Sequence, residues 1–428
     1  MKFLASPIVG DEEMAAIFSD AQLWTRLVSF EVALAKVQGG LQVIPEAAAE
    51  AIVKHAPRAE ISLDKLSEGV SKAGVPVPVL VASLRDATPA PHDDWIHWGA
   101  TSQDVVDTAL VLSYSVALDI VRERLVALID QLEKSALEYA DVPMLARTRG
   151  QLATPISLGL RVAQWAQPLI GLESELQKIR HRTLRVQFGG ASGSQSAIAP
   201  HGPAVAKALA AELNLAPSAP WHTDRGGIVA LTGWLQRLTT ALGKIGRDLA
   251  LSGRGEVGEL GAGEGGGSST MPHKSNPVGA EALQTIALVA NGLAAGLSAA
   301  SLHTEERDGA AWPVEWVFLP QLFEVVGAGL RQANDLASDL RPDPERMAAR
   351  IADVPEVMAE AVVFALAPNL GRREAERRVK DGLAGGKRLD VILSEASEVS
   401  ITAETVLGLR PSLDAAKAII DEIFASRG

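Results

Sequence analysis

Long runs of apolar residues at helical spacing, uninterrupted by proline, restrict this chain to a mainly helical fold. The clearest run ends before Pro143, and its apolar residues recur every three or four positions, which places them on one helical face. Its members are Leu118, Val121, Leu125, Leu128, Leu132, Ala136 and Tyr139. Long helical patterns also cover residues 157–185 and 225–253. These patterns predict an all-α fold with a central bundle of long helices.

The chain, with 428 residues, is long enough for two or three domains and a large buried core. Apolar residues from Leu23 to Val37 predict an early helix capped by Asp20. Pro342 and Pro344 mark a boundary, after which short helical patterns carry more charge. We therefore predict an N-terminal helical domain over 1–110, a central long-helix bundle over 111–345 and a small helical domain over 346–428.

The charge of the chain limits its partners. The formal net charge is −12, whereas proteins that bind nucleic acid or membrane surfaces carry a basic excess. We therefore expect no nucleic-acid or membrane partner, and an anionic substrate would be held by local arginines and lysines. The absence of cysteine excludes disulfides and thiolate metal sites. Residues 1–11 lack the pattern of a signal peptide, which predicts a cytoplasmic location.

Residues 282–302 contain no charged side chain and are long enough to cross a bilayer. The segment is rich in Ala, Gly and Ser and includes Gln284, Thr285 and Asn291, which suit a lipid-facing surface poorly. A charge-free helix of small residues is typical of the middle of a bundle. We expect a buried helix surrounded by other helices.

Two polar segments lie beside the long helical patterns. In residues 97–104, Thr101 and Ser102 precede a helix, where hydroxyls are typical of a cap and free backbone amides also bind carboxylates. Residues 146–151 contain Arg147, Arg149 and Gln151. Considered alone, this second segment resembles an ordinary surface.

A third polar segment, residues 261–278, has five glycines among its first seven residues. Glycine lacks the Cβ atom that restricts the backbone. Ser268 and Ser269 follow, and then come a cation, Lys274, and an amide, Asn276. This order suits a lid that closes over an anionic substrate and delivers a base. A surface linker is the alternative interpretation.

Residues 267–276 resemble the Gly-Ser-Ser-x-Met-Pro-x-Lys-x-Asn signature of the fumarase/aspartase superfamily without a gap. The resemblance spans roughly residues 5–345 and implies a three-domain, all-α homotetramer. Each active site in that superfamily draws conserved segments from three subunits, which correspond here to residues 101–104, 147–151 and the signature loop 261–278. Long helices of about 1.5 Å rise per residue would keep these segments far apart within one chain, in agreement with shared sites.

The superfamily catalyses β-elimination or its reverse, in which a proton is lost next to a carboxylate. Removal of such a weakly acidic proton requires a strong base and cations around the resulting dianion. The position of Ser268 in the signature implies that it is this base. Its alkoxide needs roughly 7 kcal/mol of preferential stabilisation, which Lys274 and the amides of the glycine loop are candidates to supply. Glu264 would oppose this stabilisation and is expected to face away.

The second segment distinguishes branches of the superfamily by their leaving group. Fumarases and adenylosuccinate lyases carry Thr-His where this chain has Thr148 and Arg149. Arginine cannot act as an acid near neutral pH, so the departing or attacking group should need little protonation, as a carboxylate does. Addition of a carboxylate to a double bond within one molecule is lactonisation, the reaction of the 3-carboxy-cis,cis-muconate cycloisomerase branch.

A second feature also indicates that branch. Adenylosuccinate lyases have an arginine for the nucleotide where this chain has Trp316, although Arg307 and its two acidic neighbours are kept. Residues 312–316, Trp-Pro-Val-Glu-Trp, resemble the cycloisomerase branch instead. An adenylosuccinate-like lyase, an aspartase-like ammonia lyase and a non-catalytic structural member remain as alternatives.

The resemblance implies a role for each candidate residue. Ser268 exchanges the proton, Lys274 and Asn276 bind one carboxylate, Thr101 and Ser102 hold another, and Gln151 orients the chain of a small polycarboxylate. The remaining substrate-binding candidates are Arg147, Thr148, Arg149 and Arg307. Arg307 has a second interpretation, as a structural ion-pair partner of Glu305 or Asp308. We expect no cofactor and no metal, because the eight histidines show no ligand spacing.

Overall fold

A computed structural model describes residues 4, 6–267, 271, 274–396 and 402–427. Within these residues it contains eighteen α-helices, which confirms the all-α prediction. They are α1 Ser6–Val9, α2 Glu12–Ile17, α3 Asp20–Gly40, α4 Glu46–His55, α5 Leu63–Ala73, α6 Val77–Ala87, α7 Ser102–Glu138, α8 Leu158–Thr183, α9 Gly202–Glu212, α10 Gly226–Ser252, α11 Val278–Ala299, α12 Trp312–Ser338, α13 Pro344–Asp353, α14 Ala359–Leu370, α15 Arg372–Ala384, α16 Leu389–Ser394, α17 Ala403–Leu407 and α18 Arg410–Ala425.

Three short antiparallel ladders accompany the helices in the described part of the chain. No strand was predicted from the sequence. The strands are paired as β1 Pro143–Thr148 with β2 Gln151–Ser157, β3 Leu260–Ala262 with β6 Leu340–Pro342, and β4 Gly266–Gly267 with β5 Ser275–Asn276. All three ladders include residues of the second or the third polar segment.

The longest predicted apolar stripe belongs to α7. Its members from Leu118 to Ala136 are buried, as the spacing predicted, because a repeat of three and four keeps one face toward neighbouring helices. Tyr139 lies just beyond the helix end and is only partly buried. The cap of α3 is also corrected: Ser19 accepts the amide of Gln22, and the predicted cap Asp20 is the first helical residue.

The chain divides into two compact units, and α7, α8, α10, α11 and α12 each contribute residues to both. The first unit contains residues 1–124, 175–242 and 284–331. Its core includes an aromatic cluster in which the Phe323 ring lies 5.4 Å from Phe18 and 5.7 Å from Tyr114 between centroids. This unit includes the start of α7, where the first polar segment lies.

The second unit contains residues 125–174, 243–283 and 332–428. Its C-terminal helices bury a core of their own, which includes Val362, Leu366, Val379 and Ile392. The β1–β2 hairpin and the β4–β5 ladder belong to this unit. It therefore holds the second polar segment and the described part of the third.

Helix α11 is the charge-free helix. It is long and apolar enough to cross a membrane by length and composition alone. About 33% of its most apolar window is buried within the chain, and Leu288 is 72% exposed. Within a single chain, neighbouring helices therefore cover this helix less than its sequence predicts.

Candidate active site

The start of α7 carries the first polar segment in the first unit. The Asp104 carboxylate accepts the Thr101 amide at 3.0 Å, so it caps the free donors of the first turn. The same buried carboxylate accepts the amides of Gly189 and Gly190 at 2.8 and 2.9 Å and lies 3.0 Å from Nε2 of His222. Asp104 therefore fixes a glycine-rich loop beside Thr101.

Arg307 is brought to the same place. Its Nη2 donates to the Thr101 hydroxyl at 3.1 Å and to the carbonyl of Ala191 at 3.2 Å, and its Nε donates to Oε1 of Gln103 at 3.0 Å. All three acceptors are neutral. The structure thus unites two of the predicted site residues, Thr101 and Arg307, which are 206 positions apart.

The alternative role for Arg307, an ion pair with Glu305 or Asp308, is wrong within the described residues. The Asp308 carboxylate instead accepts the amides of Ala310 and Ala311, each at 2.8 Å. These hydrogen bonds, with those from Thr304, hold the pKa of Asp308 well below its ordinary value. Because no carboxylate in the described part of the chain pairs with Arg307, its charge is available for an anion.

A buried charged cluster supports Gln103 from behind. Arg225 donates to Asp107 at 2.9 Å and, through Nε, to Glu315 at 2.9 Å. Trp312 Nε1 donates to Asp107 at 2.8 Å, and Gln103 Nε2 does so at 3.2 Å. Burial raises the pKa of Glu315, although Arg225 acts in the opposite direction. The cluster joins the starts of α7, α10 and α12, and through Gln103 it orients Arg307.

His97 is a further polar residue near Thr101 to which the sequence analysis gave no role. Its Nδ1 lies 2.6 Å from Oε1 of the buried Glu31, and its backbone is left-handed with φ 65°. Burial alone would lower its pKa, but Glu31 and Asp104 outweigh burial, so the pKa of His97 is raised. A non-glycine residue at positive φ is held there by its surroundings, and only a structure reveals it.

The second polar segment is the turn of the β1–β2 hairpin in the second unit. Thr148 pairs with Gln151, and the two residues between them, Arg149 and Gly150, have φ 52° and 80°. Positive φ at both central positions is typical of a type I′ turn, whose twist matches the flanking strands. The four residues are exposed in the single chain, so the turn presents Thr148, Arg149 and Gln151 outward.

Arg147, next to this turn, makes a two-point ion pair. Its Nη1 and Nη2 lie 2.7 and 2.6 Å from the two carboxylate oxygens of Glu259, which is fully buried. Such a paired geometry is the strongest form of the arginine–carboxylate contact. Its charge therefore already neutralises Glu259, and the ion pair holds the end of β1 in place.

The signature loop is anchored at its base. Gly266 pairs with Asn276 and Gly267 with Ser275 in the β4–β5 ladder. Lys274 is exposed, and its amide donates to the carbonyl of Met271 at 3.0 Å. The predicted base Ser268 and its neighbour Ser269 lie outside the described residues, as do residues 270, 272 and 273.

The predicted site residues therefore occur in both units. Thr101, Ser102 and Arg307 belong to the first unit, with Thr101 and Arg307 in contact. The second unit contains Lys274, Asn276 and the hairpin residues Arg147, Thr148, Arg149 and Gln151.

The bundle of long helices is the fold of a class of lyases. A family model described as a lyase matches residues 13–292, which is more than half of the chain. The chain therefore belongs to this lyase family, the fumarase/aspartase superfamily, in the branch that contains the 3-carboxy-cis,cis-muconate cycloisomerases. The resemblance noted at residues 267–276 is confirmed.

Individual relatives extend over nearly the whole chain. A 3-carboxy-cis,cis-muconate cycloisomerase of Bradyrhizobium diazoefficiens is 36% identical, with 99% of this chain and 98% of the relative covered. One from Pseudomonas aeruginosa is 38% identical, with 93% and 88% covered. The crystal structure of the 3-carboxy-cis,cis-muconate lactonizing enzyme from Pseudomonas putida matches with a TM-score of 0.88 at 35% identity, covering 99% of this chain and 98% of that chain.

Proposed function

We propose that this chain is an enzyme, a cycloisomerase that closes 3-carboxy-cis,cis-muconate to its muconolactone in protocatechuate and aromatic degradation. In lactone formation, a substrate carboxylate oxygen bonds to one carbon of a double bond while the neighbouring carbon takes up a proton. Ser268 donates that proton, and in the reverse direction its alkoxide removes it. The group that departs in the reverse direction is a carboxylate, which needs no acid.

The setting of Arg307 carries the proposal. A guanidinium bonded to the Thr101 hydroxyl and to neutral acceptors keeps its charge for a substrate carboxylate. Ser102, the first residue of α7, adds a hydroxyl and the start of a helix, where backbone amides attract anions. This part of the site suits one carboxylate of a polycarboxylate substrate.

The other carboxylates would be bound by residues of the second unit. Lys274 and Asn276 hold a carboxylate on the signature loop, and Lys274 also stabilises the Ser268 alkoxide. Arg149 supplies a permanent cation from the exposed hairpin turn, where Thr148 and Gln151 orient the substrate. Arg147 contributes by holding the end of β1 through its pair with Glu259.

We further propose a cytoplasmic homotetramer with shared active sites and no cofactor. The exposure of Leu288 and Val289, at 72% and 38%, supports coverage of α11 by other copies of the chain. A helix without charges that is one-third buried in the single chain is suited to the centre of a larger bundle.

Incubation of the purified protein with 3-carboxy-cis,cis-muconate tests the reaction. We expect loss of the conjugated-diene absorbance as the lactone forms. Ser268→Ala should abolish this loss while size-exclusion chromatography shows an unchanged oligomer, and Ser269→Ala is the matched control. Wild-type turnover by Ser268→Ala would show that Ser268 is not the base.

A sulfonate in place of the 3-carboxylate is a related hypothesis, motivated by Arg149. A permanent cation at the turn suits either anion. Competition of 3-carboxymuconate with 3-sulfomuconate, in wild type and Arg149→Ala, tests the role of this arginine. Unchanged rates for both substrates would show that Arg149 binds neither anion.

A further inference from the structure

A cavity of about 600 Å³ in the second unit lies among residues of β1, α8 and α10. Arg147 and Thr148 border it, but its residues from α8 and α10 have no part in the proposed reaction. This volume is within the range of small-molecule sites. Its lining includes the cations Arg147, Arg161, Lys244 and Arg254, whereas Asp248 is the one carboxylate among the described lining residues. Arg147 is paired with Glu259, Lys244 with Asp248 and Arg254 with Glu256, so Arg161 is the lining cation that indicates an anionic ligand.

Arg161 distinguishes this cavity from an ordinary charged surface. Its guanidinium makes no hydrogen bond or ion pair within the described part of the chain. Burial lowers its pKa, and although Asp248 acts in the opposite direction, the nearby Arg147 adds to the decrease. A partly buried cation without a direct partner favours an anion beside it.

The acidic groups near Arg161 are already bound to other donors. Asp248 accepts Trp165 Nε1 at 2.8 Å and forms an ion pair with Lys244. Glu259 is held by both terminal nitrogens of Arg147. Neither carboxylate therefore forms an ion pair with Arg161.

The end of α10 also borders the cavity, and its carbonyl groups would repel an anion if they were free. The carbonyl of Leu249 accepts the amide of Gly253 at 2.9 Å, and that of Ser252 accepts the amide of Glu259 at 3.0 Å. Arg254 Nε donates to the carbonyl of Leu251 at 3.2 Å. These bonds reduce the negative potential at the helix end.

We propose that this cavity binds a small oxyanion, a carboxylate or phosphate group, with Arg161 as its principal cation. Gln164 and Ser252 line the same cavity and supply side-chain donors. The site is additional to the carboxylate sites of the proposed reaction, and its occupation does not require turnover.

Thermal unfolding of the full-length protein tests the proposal. Inorganic phosphate and succinate are titrated separately, with sodium chloride at matched ionic strength. At one hundred times the dissociation constant, we expect Tm to rise by about 3 °C with at least one oxyanion. The comparison of the two titrations distinguishes phosphate from carboxylate binding. No rise beyond sodium chloride with either oxyanion would overturn the proposal.

Single-residue variants test whether the anion-dependent rise in Tm comes from binding in this cavity. Arg161→Gln should raise the dissociation constant at least tenfold, and Arg161→Lys should retain part of the affinity. Arg247→Gln, on the exposed side of α10, is the matched control and should bind as wild type does. An unchanged dissociation constant for Arg161→Gln would overturn the proposal.

Binding at the proposed catalytic site is distinguished by two more variants. Arg307→Gln and Lys274→Met should keep the anion-dependent rise in Tm, because neither residue lines the cavity. Loss of the rise in either variant would assign the anion to the catalytic site and overturn the second site. Failure of the muconate assay would not affect this result, since thermal unfolding measures binding and does not depend on turnover.

Discussion

At the scale of single residues, the proposed binding of a substrate carboxylate by Arg307 depends on the neutrality of its hydrogen-bond acceptors. Lysine in its place would keep the charge, but one ammonium group cannot reproduce the guanidinium geometry that reaches both Thr101 and Gln103. We expect Arg307→Lys to lower kcat/KM roughly 10–100-fold, mainly through KM. The reason is a loss of about 1.5–3 kcal/mol of charged hydrogen bonding to the substrate carboxylate.

The stability of this variant separates binding from folding. Arg307→Lys loses no ion pair among the described residues, and the loss of one hydrogen bond, about 1 kcal/mol, should lower Tm by only about 1 °C in a chain of this length. Exposed Arg373→Lys is the control and should change neither kinetics nor Tm. A wild-type KM in Arg307→Lys would show that the guanidinium geometry does not bind substrate.

The His97–Glu31 pair predicts a pH dependence of stability. The pKa of His97 in the folded protein is above the ordinary value of 6.5. The protonated pair therefore stabilises the fold fully below about pH 6.5, and this stabilisation is lost as pH rises through the higher folded value. His97→Gln should lower Tm more at pH 6 than at pH 9. Thermal unfolding at both pH values checks this, and an equal decrease would contradict the pair.

Residue-level contacts were only partly predictable from the sequence. The signature order predicted candidate hydroxyls and cations, whose roles stay predictions. Arg307 had two possible roles, and its contacts among the described residues exclude the ion pair with Glu305 or Asp308. The Arg225 cluster was missed because its acidic partners, Asp107 and Glu315, are 118 and 90 positions away. Periodicity reports which face a residue occupies and carries no information on such distant pairing.

At the scale of elements, the long helices were predictable and the hairpin was not. The stripe along α7 is repeated over many turns, so its signal accumulates. The β1–β2 turn has Arg149 and Gly150, whereas the pattern that best indicates a type I′ turn is Asn-Gly. Arginine at positive φ is uncommon, and the flanking strands determine it here.

Close contact between α10 and α11 gives a test at this scale. A Cβ on Gly246 would lie 2.4 Å from the carbonyl oxygen of Ala280 and 2.7 Å from Cβ of Leu283, so a helix must shift. We expect Gly246→Ala to destabilise the protein by about 1–3 kcal/mol.

Gly233, in the same helix, is the matched control, because a Cβ there meets no atom of the described chain within 4 Å. Gly233→Ala should stabilise by about 0.5–1 kcal/mol through helix propensity. Denaturant unfolding measures both changes. A neutral result for Gly246→Ala would show that the two helices separate without cost.

At the scale of the whole molecule, the proposed sharing of active sites between chains predicts that defective chains can complement one another. Ser268→Ala lacks the base, and Arg149→Ala lacks the hairpin cation, so each variant alone should be inactive or nearly so. In a mixed tetramer, a site that takes its loop from one chain and its hairpin from another regains both groups.

Random assembly of the two variants at equal amounts should restore about one quarter of the sites. A restored site needs its loop from the Arg149→Ala chain and its hairpin from the Ser268→Ala chain, and each of these has a probability of about one half. Co-expression, purification of mixed tetramers and the muconate assay measure this fraction. If loop and hairpin of one site came from the same chain, each chain would always carry one defect and no site would recover. The recovered activity therefore reports directly which segments are shared, and separately purified tetramers mixed without exchange provide the baseline.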